Sequence, residues 1–103
     1  MKSTLTDITE YCFFCYGPAS ETHHLIFGKG RQFSEDWGLK TPICASCHTR
    51  SERLCDRIHD NVMAEKLSKM LGQAIWERDR ALEGMSQNDI RERFIKENGG
   101  SYL

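Results

Sequence analysis

Four of the five cysteines form two Cys-x-x-Cys pairs, Cys12–Cys15 and Cys44–Cys47, on either side of residues 16–43. The tight turn within such a pair brings both sulfurs to one side of the backbone, and two pairs supply the four soft ligands that tetrahedral zinc prefers. A redox role is the alternative, but it requires a thioredoxin-like βαβ pattern, which the sequence lacks. The spacing therefore predicts one Zn²⁺ bound by Cys12, Cys15, Cys44 and Cys47.

The predicted zinc site is expected to be structural. A chain of 103 residues forms a single domain, residues 1–103, which buries only about two thirds of the surface that its unfolded form exposes. Because the ligands are apart in the unfolded chain, metal binding contributes directly to folding. The fifth cysteine, Cys55, lies in a helical pattern among charged residues and is predicted to be a buried or half-buried packing residue.

The charge balance excludes a polybasic tail and a strongly acidic partner surface. Fourteen Lys and Arg against fifteen Asp and Glu give a net charge of −1. No stretch reaches the ~20 apolar residues of a membrane span, and Asp7 and Glu10 make the N-terminus unlike a signal peptide. We therefore expect a cytoplasmic protein with no membrane partner.

The first half of the chain predicts two short strands and a helix. Residues Glu21–Phe27 are rich in β-branched and aromatic side chains and predict a strand, followed by a loop over residues 28–38. Residues Leu39–Cys44 predict a second extended segment, confined by Pro42 to an edge or terminal position. A helical pattern then covers residues 48–59.

Two further helices are predicted in the second half. A long amphipathic helix covers Asn61–Leu82, with Asp60 or Asn61 as N-cap and Gly84 as the stop. Its apolar stripe, Val62, Met63, Leu67, Met70, Leu71, Ala74, Ile75 and Leu82, is predicted to face the core, with a homodimer seam as the alternative. A second helix begins near Ser86 and Asp89, ends before Gly99 and Gly100, and carries on one face Ile90, Phe94 and Ile95.

Three histidines lie close in sequence to the cysteine pairs, namely His23, His24 and His48. Neighbours in a strand point to opposite faces, so His23 and His24 do not both face one metal unless the strand is bulged or ending. One can bind an ion while the other activates a nucleophile, and the zinc turn brings His48 next to the strand. Three basic residues are close enough in sequence to contact phosphates, namely Lys29, Arg31 and Arg50.

Four features follow one another along the chain: Cys12-x-x-Cys15, His23-His24, Cys44-x-x-Cys47-His48 and then a helix. This order resembles the zinc-ribbon branch of the HNH nucleases, in the ββα-metal (His-Me finger) superfamily. The resemblance covers residues 11–60. Within the family, this part of the chain is similar to small phage and prophage HNH proteins. It implies an α+β fold: a small zinc-bound ββα-metal module with additional C-terminal helices in residues 61–103. It also implies hydrolysis of DNA phosphodiester bonds with one divalent ion, usually Mg²⁺ or Mn²⁺, in a bacterial or phage-infected host cell.

Carried over residue by residue, the resemblance makes His24 the general base and His23 and His48 the ligands of the divalent ion. The family's middle Asn has no counterpart here, because residues 38–43 contain none, and Asp36 is the nearest polar group. His59 is expected to be a helix C-terminal histidine that the helix dipole favours, rather than a ligand.

Two functions stay open at this stage. The first is a Mg²⁺-dependent DNA endonuclease, and the second is a catalytically silent zinc module that binds DNA or a protein partner, as a phage accessory or inhibitor protein does. Residues 23–57 carry six Lys or Arg against four acidic residues, and the rest of the chain carries eight against eleven. The small basic excess therefore falls where DNA is expected to bind. The protein is expected to be either a monomer or a homodimer.

Overall fold

A computed structural model describes residues 1–103 as two antiparallel strands and three α-helices. These elements are β1 Glu21–His24, α1 Arg31–Trp37, β2 Lys40–Ile43, α2 Val62–Leu82 and α3 Gln87–Asn98. The predicted α+β class is confirmed, in a small domain with a two-stranded sheet. None of the helices combines the length and the apolar character that crossing a membrane requires.

The sheet is shorter than predicted. In its antiparallel register Glu21 lies opposite Ile43 and His24 lies opposite Lys40, so β1 ends three residues before the predicted end at Phe27. Leu25 and Ile26 are fully buried. Helices cover these apolar side chains. The apolar composition that predicted a strand therefore continues past the last residue of β1.

A helix occupies most of the predicted loop over residues 28–38, and the loop assignment was wrong. A 3₁₀ turn at Gly28–Gly30 leads directly into α1. The Ser34 hydroxyl donates to the Ile26 carbonyl (2.7 Å) and accepts from the Ile26 N–H (2.9 Å), which fastens α1 to the chain beyond β1. Gly38 ends the helix at φ +68°, a left-handed conformation that glycine adopts without strain.

The predicted helix over residues 48–59 is replaced by a π-helical turn at Ser46–Arg50 and two 3₁₀ turns, Leu54–Asp56 and Ile58–Asp60. Side chains bond to carbonyls that a continuous helix would use: Arg57 Nε donates to the Ser51 carbonyl and Asn61 Nδ2 to the Cys55 carbonyl. Cys55 is exposed, so its predicted packing role was also wrong.

The predicted caps of the two long helices are confirmed. The Asn61 side chain accepts from the Ala64 N–H at the start of α2, and the Ser86 hydroxyl accepts from the Asp89 N–H at the start of α3. Each of these bonds satisfies one of the N–H groups that a helix start leaves without a partner. Gly99 ends α3 at φ +77°.

The face of α2 that meets the core differs from the predicted stripe. Leu71 and Ile75 do pack against the core, but six stripe residues are exposed, namely Val62, Met63, Leu67, Met70, Ala74 and Leu82. The buried positions are Ser68, Gly72, Gln73, Trp76 and Arg80. A Cβ at Gly72 would lie only 2.8 Å from Ile26 and 3.1 Å from Leu25, so the close approach of α2 to this segment requires glycine at position 72. The homodimer seam stays a prediction.

Two apolar clusters form the interior. The larger contains Leu25, Ile26, Phe33, Leu39, Trp76, Ile90 and Phe94, and the smaller contains Cys12, Ile43 and Ile58. Of the apolar face predicted for α3, Ile90 and Phe94 are buried and Ile95 is exposed. Cys12 belongs to the smaller cluster, and Cys44 and Cys47 pack against it.

Candidate metal centres

The two cysteine pairs come together as predicted. One ligand atom from each of Cys12, Cys15, Cys44 and Cys47 lies within 4.8 Å of the others. The first pair is attached to β2 by the Phe13 N–H, which donates to the Pro42 carbonyl at 2.9 Å. This contact brings the first pair beside the second, which directly follows β2. The four sulfurs can therefore hold a zinc ion.

Local backbone geometry favours thiolates in this cluster. The Gly17 N–H donates to Cys15 Sγ and the Cys47 N–H donates to Cys44 Sγ, each at 3.4 Å. Burial raises the pKa of Cys12, but several backbone N–H groups outweigh it and bring that pKa to about 7. Burial, and then the neighbouring Cys44 and Cys15 sulfurs, raise the pKa of Cys47. The Gly17 N–H lowers the pKa of Cys15, but the sulfurs of Cys44 and Cys12 outweigh it, so this pKa is also raised. A divalent cation is the charge that would let all four ionise.

A second cluster contains three histidines from three different segments. His23 lies on β1, His48 in the turn after the second cysteine pair, and His59 in the 3₁₀ turn before α2, and one nitrogen of each lies within 4.8 Å of the others. The Nε2 atoms of His48 and His59 are 2.9 Å apart. His59 was expected at the C-terminus of the helix predicted over residues 48–59. That was wrong, because this helix does not form and His59 lies in a short 3₁₀ turn.

Each histidine of this cluster has a defined environment. His23 is completely buried, which lowers its pKa to about 3 and keeps its imidazole neutral at pH 7. Burial also lowers the pKa of His59. His48 Nδ1 lies 2.7 Å from a Glu21 carboxylate oxygen, so its other nitrogen is free to face His59. A neutral imidazole is the form that binds a metal ion, and three of them suit a transition metal.

His24 points away from the cluster, as the alternation of side chains along a strand predicts. Its Nε2 lies 2.7 Å from Glu35 Oε2, and Lys40 Nζ lies 3.2 Å from the same oxygen. Hydrogen bonds from His24 and then Lys40 lower the pKa of Glu35. Asp36, the polar group nearest in sequence to the position of the missing Asn, accepts a hydrogen bond from Gln32.

The three basic residues predicted to contact phosphates lie at the surface. Lys29, Arg31 and Arg50 are exposed. Lys69 of α2, which no sequence motif marks, has its Nζ 4.7 Å from the Phe27 ring centroid. The Phe27 ring in turn packs edge-on against His59 at 4.5 Å. A cation on α2 is thus connected by one aromatic ring to the histidine cluster.

Comparison with known proteins gives no match: no family model, curated protein or solved structure is similar to this chain. Its own geometry therefore defines its class. It is a small compact α+β domain with a four-cysteine cluster able to hold zinc and a three-histidine cluster able to hold a second metal ion.

Proposed function

We propose that this chain is a metal-dependent DNA endonuclease of the HNH type, built on a zinc-bound ββα-metal module. The observation that carries the proposal is the arrangement about β1. Three histidines converge near one side of this strand, while His24 lies on its other side with a carboxylate partner. A bound metal ion and a general base are two groups that can together hydrolyse a phosphodiester.

The histidine cluster would hold the ion that acts on DNA. When bound, such an ion supplies positive charge to a phosphate oxygen and to the departing 3′-oxygen. The resemblance leads to His23 and His48 as ligands and to Mg²⁺ or Mn²⁺ as the ion. His59 adds a third imidazole, and a donor set of nitrogens alone favours Zn²⁺, Ni²⁺ or Co²⁺ over the oxygen-seeking Mg²⁺.

His24 would be the general base, and Glu35 would orient it. Because a carboxylate only accepts hydrogen bonds, the shared proton lies on His24 Nε2. Nδ1 then has the lone pair that takes a proton from water. Glu35 in this role takes the place of the Asn that the family's motif contains and this chain lacks.

Phosphate contacts would come from the exposed residues Lys29, Arg31 and Arg50. Each basic side chain that neutralises a phosphate releases counterions and adds affinity without sequence preference. With a net charge of −1, the chain as a whole has no cationic excess. DNA binding is therefore expected to depend on the bound ion and on low salt.

The test is cleavage of supercoiled plasmid by the zinc-containing protein in the presence of Co²⁺, Ni²⁺, Mn²⁺ or Mg²⁺. We expect nicking with the transition ions, reduced about 10²-fold or more in His24→Ala, since general-base catalysis contributes that much. The matched control is Asn88→Ala, an exposed change on α3. Thermal melting of both variants checks that the fold is intact. Nicking that survives His24→Ala contradicts the mechanism.

A silent binding module is the second candidate, and one observation favours it. The exposed residues Val62, Met63 and Leu67 give α2 an apolar outer face of the kind that protein partners cover. Absence of cleavage with all four ions, together with retained metal binding at both clusters, would favour this module over the nuclease.

A further inference from the structure

We propose that Ser68 of α2 is a positioning residue that fixes the tautomer of His23, so that Nδ1 of His23 is the atom that binds the ion. The inference rests on the proposed metal site at His23, His48 and His59. It adds a residue from the helical half of the chain, which lies outside the motif that suggested the site.

The direction of the hydrogen bonds follows from a backbone carbonyl. Ser68 Oγ lies 2.7 Å from the Leu25 carbonyl and 2.9 Å from His23 Nε2. A carbonyl has no proton to give, so the single hydroxyl proton of Ser68 points to Leu25. The hydroxyl oxygen is then left to accept, and His23 Nε2 must carry the proton that it accepts.

The other ring nitrogen of His23 has no partner in the protein. His23 Nδ1 is buried and makes no hydrogen bond, an arrangement that native proteins seldom leave uncompensated. The rings around it belong to Phe14, Phe27, His48 and His59. Of these four, only the two histidines can share a metal ion with it. An ion in the cluster would therefore satisfy the one nitrogen that folding leaves unpaired.

His48 shows the complementary arrangement. Glu21 occupies its Nδ1 at 2.7 Å, and Nε2 is the nitrogen that faces His59. The Ser68 hydroxyl thus leaves Nδ1 of His23 free, and the Glu21 carboxylate leaves Nε2 of His48 free. Groups that orient metal-bound histidines in this way typically change metal affinity by about 10- to 100-fold when removed.

The first test is the tautomer of His23, read from long-range ¹H–¹⁵N couplings in the protein with zinc in its cysteine cluster alone. We expect Nε2–H in the wild-type protein and a mixture of tautomers in Ser68→Ala. This measurement needs no ion in the histidine cluster. A wild-type spectrum with the proton on Nδ1 would overturn the role of Ser68.

The second test is calorimetric titration of the same protein with Co²⁺. Ser68→Ala is expected to bind Co²⁺ about 10- to 100-fold more weakly, and Ser68→Thr, which keeps the hydroxyl, is expected to restore most of the affinity. Ser34→Ala is the matched control, because Ser34 is also buried and donates to a backbone carbonyl, that of Ile26, but touches no histidine.

The outcomes separate this inference from the proposed function. Equal weakening by Ser34→Ala and Ser68→Ala would overturn a specific role for Ser68. A wild-type protein that binds no Co²⁺ at the histidines would overturn the metal site, and with it the ligand role of His23 Nδ1. The tautomer result still decides whether Ser68 fixes the ring.

Discussion

The region around the cysteines and the region around α2 and α3 are held together in different ways. The first has an apolar cluster of three buried residues, Cys12, Ile43 and Ile58, whereas the second has one of seven. Burial of apolar area is the main favourable contribution to folding, so the second region can rely on packing. The first has little apolar packing, and the zinc ion that its four cysteines could hold would supply stability in its place.

The aromatic side chains show the same contrast. In the helical region Phe33, Trp76 and Phe94 are buried with ring centroids 5.4 to 5.7 Å apart. Around the first cysteine pair, four aromatic residues are exposed instead, namely Tyr11, Phe13, Phe14 and Tyr16. A similar number of aromatic rings is thus buried in the helical region and exposed around the first cysteine pair. The difference is that helices cover the rings only in the helical region.

Metal removal is therefore expected to have the largest effect on folding stability, and to unfold the cysteine region first. Cys44→Ser should prevent folding of the cysteine region, because structural zinc contributes roughly 10 kcal/mol or more to the folding of small domains. Hydrogen exchange should show loss of protection in β1 and β2 before α2 and α3. Elemental analysis of the wild-type protein should give at least one zinc per chain.

The chain supplies a matched control for this experiment in its fifth cysteine. Cys55 is exposed and lies outside the four-cysteine cluster, so Cys55→Ser should leave zinc content and melting temperature unchanged. A soluble Cys44→Ser protein with native circular dichroism would contradict the dependence of this region on metal. It would then be held together by its small apolar cluster.

Spacing and capping were readable from the sequence because both are local. The two Cys-x-x-Cys pairs predicted their cluster, and Asn61 and Ser86 marked the starts of α2 and α3. The length of α2 was predicted within one residue, since its periodicity extends over several turns. Signals of this kind depend on residues within a few positions of one another.

Other features depend on tertiary contacts and were missed. Helix α1 has only seven residues and no side-chain cap, and it is held by the Ser34 bonds to Ile26. His59 lies far along the chain from His23, and only the two 3₁₀ turns before α2 return it to the cluster. The buried face of α2 was misassigned because close approach at Gly72 outweighs hydrophobicity there.

The next largest effect should come from the helical core. Trp76 is almost fully buried against Phe33 and Phe94, so Trp76→Ala should lower the free energy of unfolding by about 3–5 kcal/mol. Met63 belongs to the predicted stripe but is exposed, and Met63→Ala should change the free energy of unfolding by no more than about 0.5 kcal/mol. Urea unfolding measures both values. A large loss in Met63→Ala would mean that this face of α2 is covered in solution.

The smallest of these effects is electrostatic and links α2 to α3. Glu77 accepts from Arg91 Nε at 2.7 Å and from Gln73 Nε2 at 2.8 Å. The hydrogen bond from Arg91 is the main cause that lowers the pKa of Glu77 in the folded protein. A lowered folded pKa contributes stability that is present above the unfolded pKa and is lost as the pH falls through the folded value.

Glu77→Gln should therefore cost about 1–2 kcal/mol at pH 7, as expected for a hydrogen bond to a charged group. The difference from the wild-type protein should shrink as the pH falls below about 4.5, the usual range of a glutamate. Glu97→Gln is the control, because Glu97 pairs with Arg93 at 3.4 Å on the exposed side of α3 and should matter little at any pH. Urea unfolding from pH 7 to a pH well below the lowered pKa of Glu77 measures both variants. A pH-independent loss in Glu77→Gln would show that packing of this side chain, and not its charge, joins the two helices.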